Sequence, residues 1–332
     1  MNRNIVLGFG LVVASGVLAC GGEDGVTINP TPDGGGNDTG TQNDSGNPDT
    51  GTPPPDGGST DGGNPADGGT ADATPFDAGS FQLGNVPGLV LWLDANKGIT
   101  LVASKASVWA DQTSFKNDAA QAIALRQPTP TPGVINGKPV MRFDKGGGNQ
   151  GNVGNMMLIK DAVSLQWGTG DFYVATVARF DNAINEANTG RGNGLFYSKV
   201  SAISVSFPGP SLLGNIPGNG TASVGFFAST NATLNNFVTT PTAYNNNNPH
   251  LFAFQRTGVK LDLRVDGVSV ATSTSTGVNI DNVGTIARIG ADGDASQNRL
   301  NGDIAEMIAV KGALSGSDLT NIEGTLKAKY GL

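Results

Sequence analysis

The sequence predicts an all-β domain, a sandwich or barrel, with one C-terminal helix and a disordered linker before it. Three observations lead there. From Val86 onward, short apolar runs are separated by Gly, Asn and Pro clusters, which is strand-and-turn patterning. Residues 259–265 alternate cleanly: Leu261, Leu263 and Val265 face one way and Lys260, Asp262 and Arg264 the other, so this strand should have one wet face. A credible helical period appears only after Ser315.

The elements follow in order. Apolar runs at 89–93, 140–143, 156–159, 172–180, 195–197, 222–227 and 251–254 read as strands. The run 172–180 is apolar on nearly both faces and is predicted to be central. Thr257-Gly258 and Asp266-Gly267 stand where the alternating strand needs hairpin turns, since glycine tolerates positive φ. Ser315 and Asp318 make an S-x-x-D capping box, after which Leu319, Ile322, Leu326 and Tyr330 form one apolar stripe stopped by Gly331. This helix should pack against the strands as a closing element.

Residues 1–19 read as a lipoprotein signal peptide. A short polar start carrying Arg3 precedes residues 5–18, an apolar run broken only by small residues and too short to span a bilayer comfortably as a mature helix. Val17-Leu18-Ala19-Cys20-Gly21 then looks like a lipobox, in which the cysteine becomes the new N-terminus and receives acyl chains. Cys20 is the only cysteine of the chain, so it is the predicted lipidation site and disulfides are excluded. Acyl chains contribute about 0.8 kcal/mol per buried methylene, and two or three of them hold a protein on a membrane effectively permanently. No aspartate directly follows Cys20, which by family analogy favours the outer membrane of an organism that has one.

Residues 20–80 are predicted to be a disordered tether. Asp-Gly-Gly recurs at Asp33, Asp56, Asp61 and Asp67, with almost no side chains to bury against the entropy of ordering. A flexible segment of this length spans about 40–50 Å, and like-charge repulsion extends it further. A calcium-binding aspartate repeat needs tight ligand spacing, which the irregular intervals here do not supply. Residues 21–80 hold ten aspartates and Glu23 with no Lys or Arg, a charge of −11. Of the chain's 28 acids 17 remain, against 19 bases once Arg3 is set aside, so residues 81–332 carry +2. A nearly neutral domain without a basic cluster argues against a nucleic-acid partner.

Several stretches resemble one family. Gly88-Leu-Val-Leu-Trp-Leu-Asp94, Val108-Trp-Ala-Asp111 and Asn136-Gly-Lys-Pro-Val-Met-Arg-Phe-Asp144 are similar to the LamG-like, concanavalin A-like lectin jelly rolls of bacterial surface proteins. So are Leu263-Arg-Val-Asp-Gly267, Ala287-Arg-Ile-Gly290, Asn301-Gly-Asp-Ile-Ala-Glu306 and the closing residues 322–332, in the family's order. The resemblance spans nearly all of residues 86–332. It implies an antiparallel two-sheet jelly-roll sandwich of about six or seven strands per sheet, with ligands or calcium at one rim or on the concave face.

Catalytic patterns are sparse. The glucanases of this fold carry Glu-x-Asp-x-Glu on one strand, whereas residues 81–332 have only Glu186, Glu306 and Glu323. Glu306 follows Asp303 at a spacing expected to put them on opposite strand faces. His250, the sole histidine, reads as a strand-start residue bonding its neighbours, and no G-x-S-x-G elbow accompanies it. Calcium stays open: Asp292, Asp294 and Asp303 offer hard oxygens, although the stretch fails the EF-hand template. For sugar, Trp92 and Trp109 read as core, and Trp167 as loop-borne and exposed. Tyr244, Asn246 and Asn247, with the Gly-rich 145–155 loop, would form a polar rim; mobile loops with incidental aromatics are the equal alternative.

Together these features point to a membrane-anchored, non-catalytic binding or adhesion lipoprotein that recognises carbohydrate or another surface polymer. Two alternatives stay open at this level. One is a polysaccharide hydrolase whose carboxylates pair only in the fold, and the other a structural envelope protein.

Overall fold

The computed structural model describes residues 81–146, 154–180, 195–199, 209–214, 224–229, 236–244, 246–274, 279–291 and 299–332. The chain divides into two units, Met1–Gly69 and Thr70–Leu332, and every described residue belongs to the second. Cys20, the acidic tether, Asp292 and Asp294 lie outside the described residues.

Among the described residues the chain forms seventeen strands and one α-helix. The first seven are β1 (Leu89–Asp94), β2 (Ile99–Val102), β3 (Lys105–Trp109), β4 (Ala119–Ala120), β5 (Thr129–Ile135), β6 (Lys138–Phe143) and β7 (Met157–Ile159). Next come β8 (Phe172–Phe180), β9 (Leu195–Ser198), β10 (Gly209–Gly214), β11 (Val224–Ser229) and β12 (Asn236–Thr239). Last are β13 (His250–Thr257), β14 (Lys260–Val265), β15 (Val268–Thr274), β16 (Ala287–Gly290), β17 (Gly302–Lys311) and α1 (Gly316–Tyr330).

They assemble into two antiparallel sheets packed as a sandwich. One has eight strands in the order β15-β14-β13-β8-β17-β6-β5, with β1 also pairing β17; the other has nine, β12-β11-β10-β9-β16-β7-β4-β3-β2. Both exceed the six or seven strands that the family resemblance implied. The main core fills the space between the sheets and includes Trp109, Phe143, Phe180, Phe196, Phe252 and Ile289. Gly290, at φ +92°, lets the Phe143 ring approach: a Cβ there would lie 2.2 Å from a ring carbon.

A second apolar layer covers the outer face of the eight-stranded sheet. Ile322, Leu326 and Tyr330 of α1 pack there with Val140, Tyr173, Val177, Leu251 and Ile308. Strand β8 is therefore buried on both faces, as its composition predicts. The helix begins where Ser315 Oγ accepts the Asp318 N–H at 3.0 Å and ends at Gly331, which sits in the left-handed region at φ 69°.

Two local expectations are corrected. Only Lys260 on the polar side of β14 is wet; the rest of that side is covered. Asp262 is buried, and Arg264 makes a two-pronged ion pair with Glu323 of the helix at 2.8 and 2.9 Å. The second concerns β17. Its edge partner changes from β6, paired at Gly302–Ile304, to β1, paired from Glu306 onward, and a bulge lies between Ile304 and Glu306. The extra residue puts both Asp303 and Glu306 on the outer face instead of splitting them, since Ile304 and Met307 both enter the intersheet core.

Candidate functional site

The outer face of the nine-stranded sheet carries an open groove of about 600 Å³. Its floor is a cross-strand row, Val108 of β3 opposite Ala120 of β4 opposite Leu158 of β7. These side chains point outward because their neighbours Trp109, Ala119, Met157 and Ile159 are committed to the core. Ile286, just before β16, and Ala162 extend the apolar floor, and Lys160 stands at the edge. The opposite wall is the loop joining β3 to β4, which contributes Phe115, Lys116, Asn117 and Asp118. Phe115 is 53% exposed, a large aromatic face left in water.

One buried carboxylate holds that loop. Asp111 is 1% exposed, and its two oxygens accept the N–H groups of Trp92, Thr113 and Asn117 at 2.9, 3.0 and 2.8 Å and the Thr113 hydroxyl at 2.6 Å. Asp118 Oδ1 in return accepts the Asp111 N–H at 2.8 Å. Asn117 donates through its carboxamide to Val90 O at 2.7 Å, which ties the loop to β1. Donors wrapped around a charged acceptor are the stronger kind of hydrogen bond, so the loop is a preorganised wall. In the sequence, Asp111 stands out only within a stretch that resembles a family. The Asp-x-Thr spacing of Asp111 and Thr113 was the available signal, because such a pair closes a local side-chain turn.

The aromatic residues singled out from sequence divide differently from expectation. Trp109 is in the core, as predicted. Trp167 is not exposed: it is 2% accessible, and its ring packs 5.4 Å from that of Phe172. Its loop is held down by distant groups. Arg256 donates to Gly168 O and Gly170 O at 2.9 Å each, and the Gly168 N–H donates to Asp281 Oδ1 at 2.7 Å, which turns the indole inward. Trp92, predicted as core, is only partly buried on the outer face of the eight-stranded sheet, where its Nε1 donates to Glu306 at 2.6 Å. Tyr244 is half-buried, edge-on to His250 at 5.0 Å and to Phe252 at 5.6 Å, so it braces a wall and offers no flat platform. Asn246 and Asn247 are exposed beside it.

His250 opens β13 and bonds its neighbours. Its Nδ1 donates to Asp266 Oδ2 at 2.7 Å, and Nε2 lies 3.4 Å from the Asn246 carboxamide. Asp303 does not meet the role of a calcium ligand. It is 2% exposed, and both oxygens are held by the guanidinium groups of Arg142 and Arg179, so the local charge repels a cation. No cluster of three or more His, Cys, Asp or Glu suited to a metal occurs among the described residues.

The fold does pair two carboxylates. Asp94 of β1 lies opposite Glu306 of β17, and both accept from Lys329 Nζ of α1, at 2.8 and 2.6 Å. The Tyr330 hydroxyl adds a bond to Glu306 at 2.8 Å. Burial pushes the Glu306 carboxyl above its ordinary range against the pull of Lys329. This pair sits on the sandwich face opposite the groove, beneath the helix that closes the domain.

No family model matches the chain, and no curated protein does. Solved structures with a comparable arrangement include the binding domain of Paraclostridial Mosquitocidal Protein 1, 12% identical with a TM-score of 0.48 over 72% of this chain and 52% of that one. A structure of botulinum neurotoxin type C, whose cell entry depends upon interaction with two ganglioside molecules, is 14% identical with a TM-score of 0.49 over 72% and 51%. The receptor binding domain of botulinum neurotoxin D is 10% identical with a TM-score of 0.49 over 72% and 53%. The chain spans about half the length of each.

Proposed function

We propose that this protein is a non-catalytic binding lipoprotein: Cys20 anchors it to a membrane, the acidic tether spaces it from the surface, and the sandwich binds carbohydrate or a related surface polymer. The groove beside Phe115 carries the reading. At about 600 Å³ it falls within the range of small-ligand sites. The apolar floor and the Phe115 ring match the C–H faces of a sugar, while Lys116, Lys160 and Asp118 at the edges can meet its hydroxyl groups. The paired carboxylates Asp94 and Glu306 share one ammonium under α1 and stand apart from this groove, which favours binding over hydrolysis.

A glycan array and polymer pull-down on the full chain test the proposal, run with and without calcium. At least one polymer should be retained, and Phe115→Ala should weaken it about tenfold, the effect of losing ~1.4 kcal/mol at an aromatic contact. An intact chain that retains no polymer under either condition overturns the binding role. The anchor is tested separately by mass spectrometry of the mature N-terminus, where two or three acyl chains on Cys20 are expected. An unacylated, freely diffusing product would remove that part.

A further inference from the structure

At one end of the eight-stranded sheet, two guanidinium groups converge on a single carboxylate. Asp303 of β17 lies opposite Arg142 of β6 on one side and Arg179 of β8 on the other, all on the outer face. Arg142 donates through Nε and Nη2 at 2.8 and 3.1 Å, and Arg179 through Nε at 2.5 Å. Asp303 is thereby saturated and almost fully buried. The arginine side chains remain 44% and 23% exposed, so their other N–H groups face outward.

These residues floor a cavity of about 220 Å³, bounded also by Phe143, Gly302, Asn301 and Asn247. Asp303 is the only acid among the described residues that lines it, so the pocket carries a surplus of one positive charge. One arginine would suffice to strap the carboxylate in place. Asp303 balances only one of the two guanidinium groups, so an anion at the mouth would meet outward N–H donors of net positive charge. Asn247 sits at the mouth with φ +61°, its N–H donating to Phe180 O at 3.2 Å and its carboxamide unengaged among the described residues. Arginine forks match planar or tetrahedral oxyanions, and the volume is below the ~300–1,000 Å³ of sites for drug-sized ligands.

We propose that this pocket is an anion subsite that receives one singly charged oxyanion, a carboxylate or a sulfate ester, carried on a larger molecule. The charge recognition stands on the pocket itself; that the carrier is a sugar polymer rests on the function proposed above. The site lies on the opposite sheet from the Phe115 groove, so the two can be separated by experiment.

The test is calorimetric titration of the full chain at low ionic strength with a hexuronate trisaccharide, a sulfated trisaccharide, a neutral trisaccharide, and sodium acetate and sodium sulfate alone. At least one charged trisaccharide should bind with an affinity that falls as salt rises, and the matching free anion should compete. Which one binds identifies the group. Arg142→Ala should weaken that binding at least tenfold, while Phe115→Ala leaves the binding of the free anion unchanged. Asn247→Asp serves as a second variant, because an exposed aspartate tolerates the left-handed backbone and places a negative charge at the mouth without disturbing the core. It too should weaken binding at least tenfold. Absence of salt-sensitive anion binding, or anion binding that survives both variants, would each overturn the subsite. Polymer retention that falls with Phe115→Ala, in a chain that binds none of the charged ligands, would leave the groove standing and this proposal refuted.

Discussion

Replacing Lys329 with methionine should lower the unfolding free energy by about 3–5 kcal/mol, the range for removing one partner from a buried ion pair. Methionine keeps the apolar stem but leaves Asp94 and Glu306, 1% and 2% exposed, facing each other without a counter-charge. The pH dependence gives the mechanism a second check. Burial alone would lower the Lys329 ammonium, but Glu306 and Asp94 together outweigh it and hold it above its ordinary value. A raised ammonium contributes stability that is present below its unfolded pKa and is lost as pH rises through the folded one. Glu306 is also raised, so its contribution is complete below the ordinary carboxylate pKa and declines as pH rises through the native value. The variant should lose the alkaline limb that Lys329 causes. It should also lose stability more steeply from mild acid toward neutrality, because Glu306 then ionises beside Asp94 alone. Denaturant unfolding of both proteins between about pH 4 and about pH 12 covers both limbs, since the ordinary lysine pKa is about 10.4. A loss under about 1 kcal/mol with an unchanged pH profile would mean that the triad does not hold the helix.

The second large effect is expected at Asp111. Asparagine keeps the shape but replaces one acceptor oxygen with an N–H₂ group, which then points at N–H and hydroxyl donors. Hydrogen bonds to a charged group contribute about 1.5–3 kcal/mol each, and unpaired buried donors add a penalty, so Asp111→Asn should destabilise by roughly 3–5 kcal/mol. Thr113→Val removes the hydroxyl bond to Asp111 and with it the acceptor of the Phe115 N–H at 3.2 Å, and should cost about half as much. Function should follow, because the same carboxylate holds the loop that carries Phe115 and Asn117. Polymer retention is expected to fall in Asp111→Asn even at temperatures where the domain stays folded. Thermal unfolding and retention are read on the same samples. Wild-type melting together with wild-type retention would show that the loop is held by something other than this network.

How much of this was legible in the chain depends on the range over which each feature is decided. The Asp266-Gly267 turn places two residues at φ 51° and 87°, as the strand alternation on either side requires. The helix is equally local, since its cap, apolar stripe and terminating glycine lie within residues 315–331. The polar side of β14 could not be read correctly, because only packing determines whether a charged strand face meets water or Glu323 of a helix 59 residues further along the chain. Trp167 failed for the same reason: the bonds that turn it inward come from Arg256 and Asp281, far along the chain.

The candidate sites show the division most clearly. Asn247 and Asp303 were both singled out, one for a sugar rim and the other for calcium, and the fold sets them in one pocket. What reverses the sign of that pocket is the arrival of Arg142 and Arg179, 161 and 124 residues away from Asp303 in sequence. The Phe115 groove is likewise built from three strands of one sheet and the loops beside them, and no sequence pattern marks it.

From its amino acids alone this chain declares strands, turns and the closing helix, and it predicts the acidic spacer and the anchor, because each depends on contacts within a few residues or on composition. Which carboxylates end up beside an ammonium, which aromatic stays in water and which charge a pocket carries were settled only by tertiary pairing. Those properties depend on contacts between groups well separated along the chain, as Lys329 is from Glu306 by 23 residues and from Asp94 by 235, and no local period encodes them.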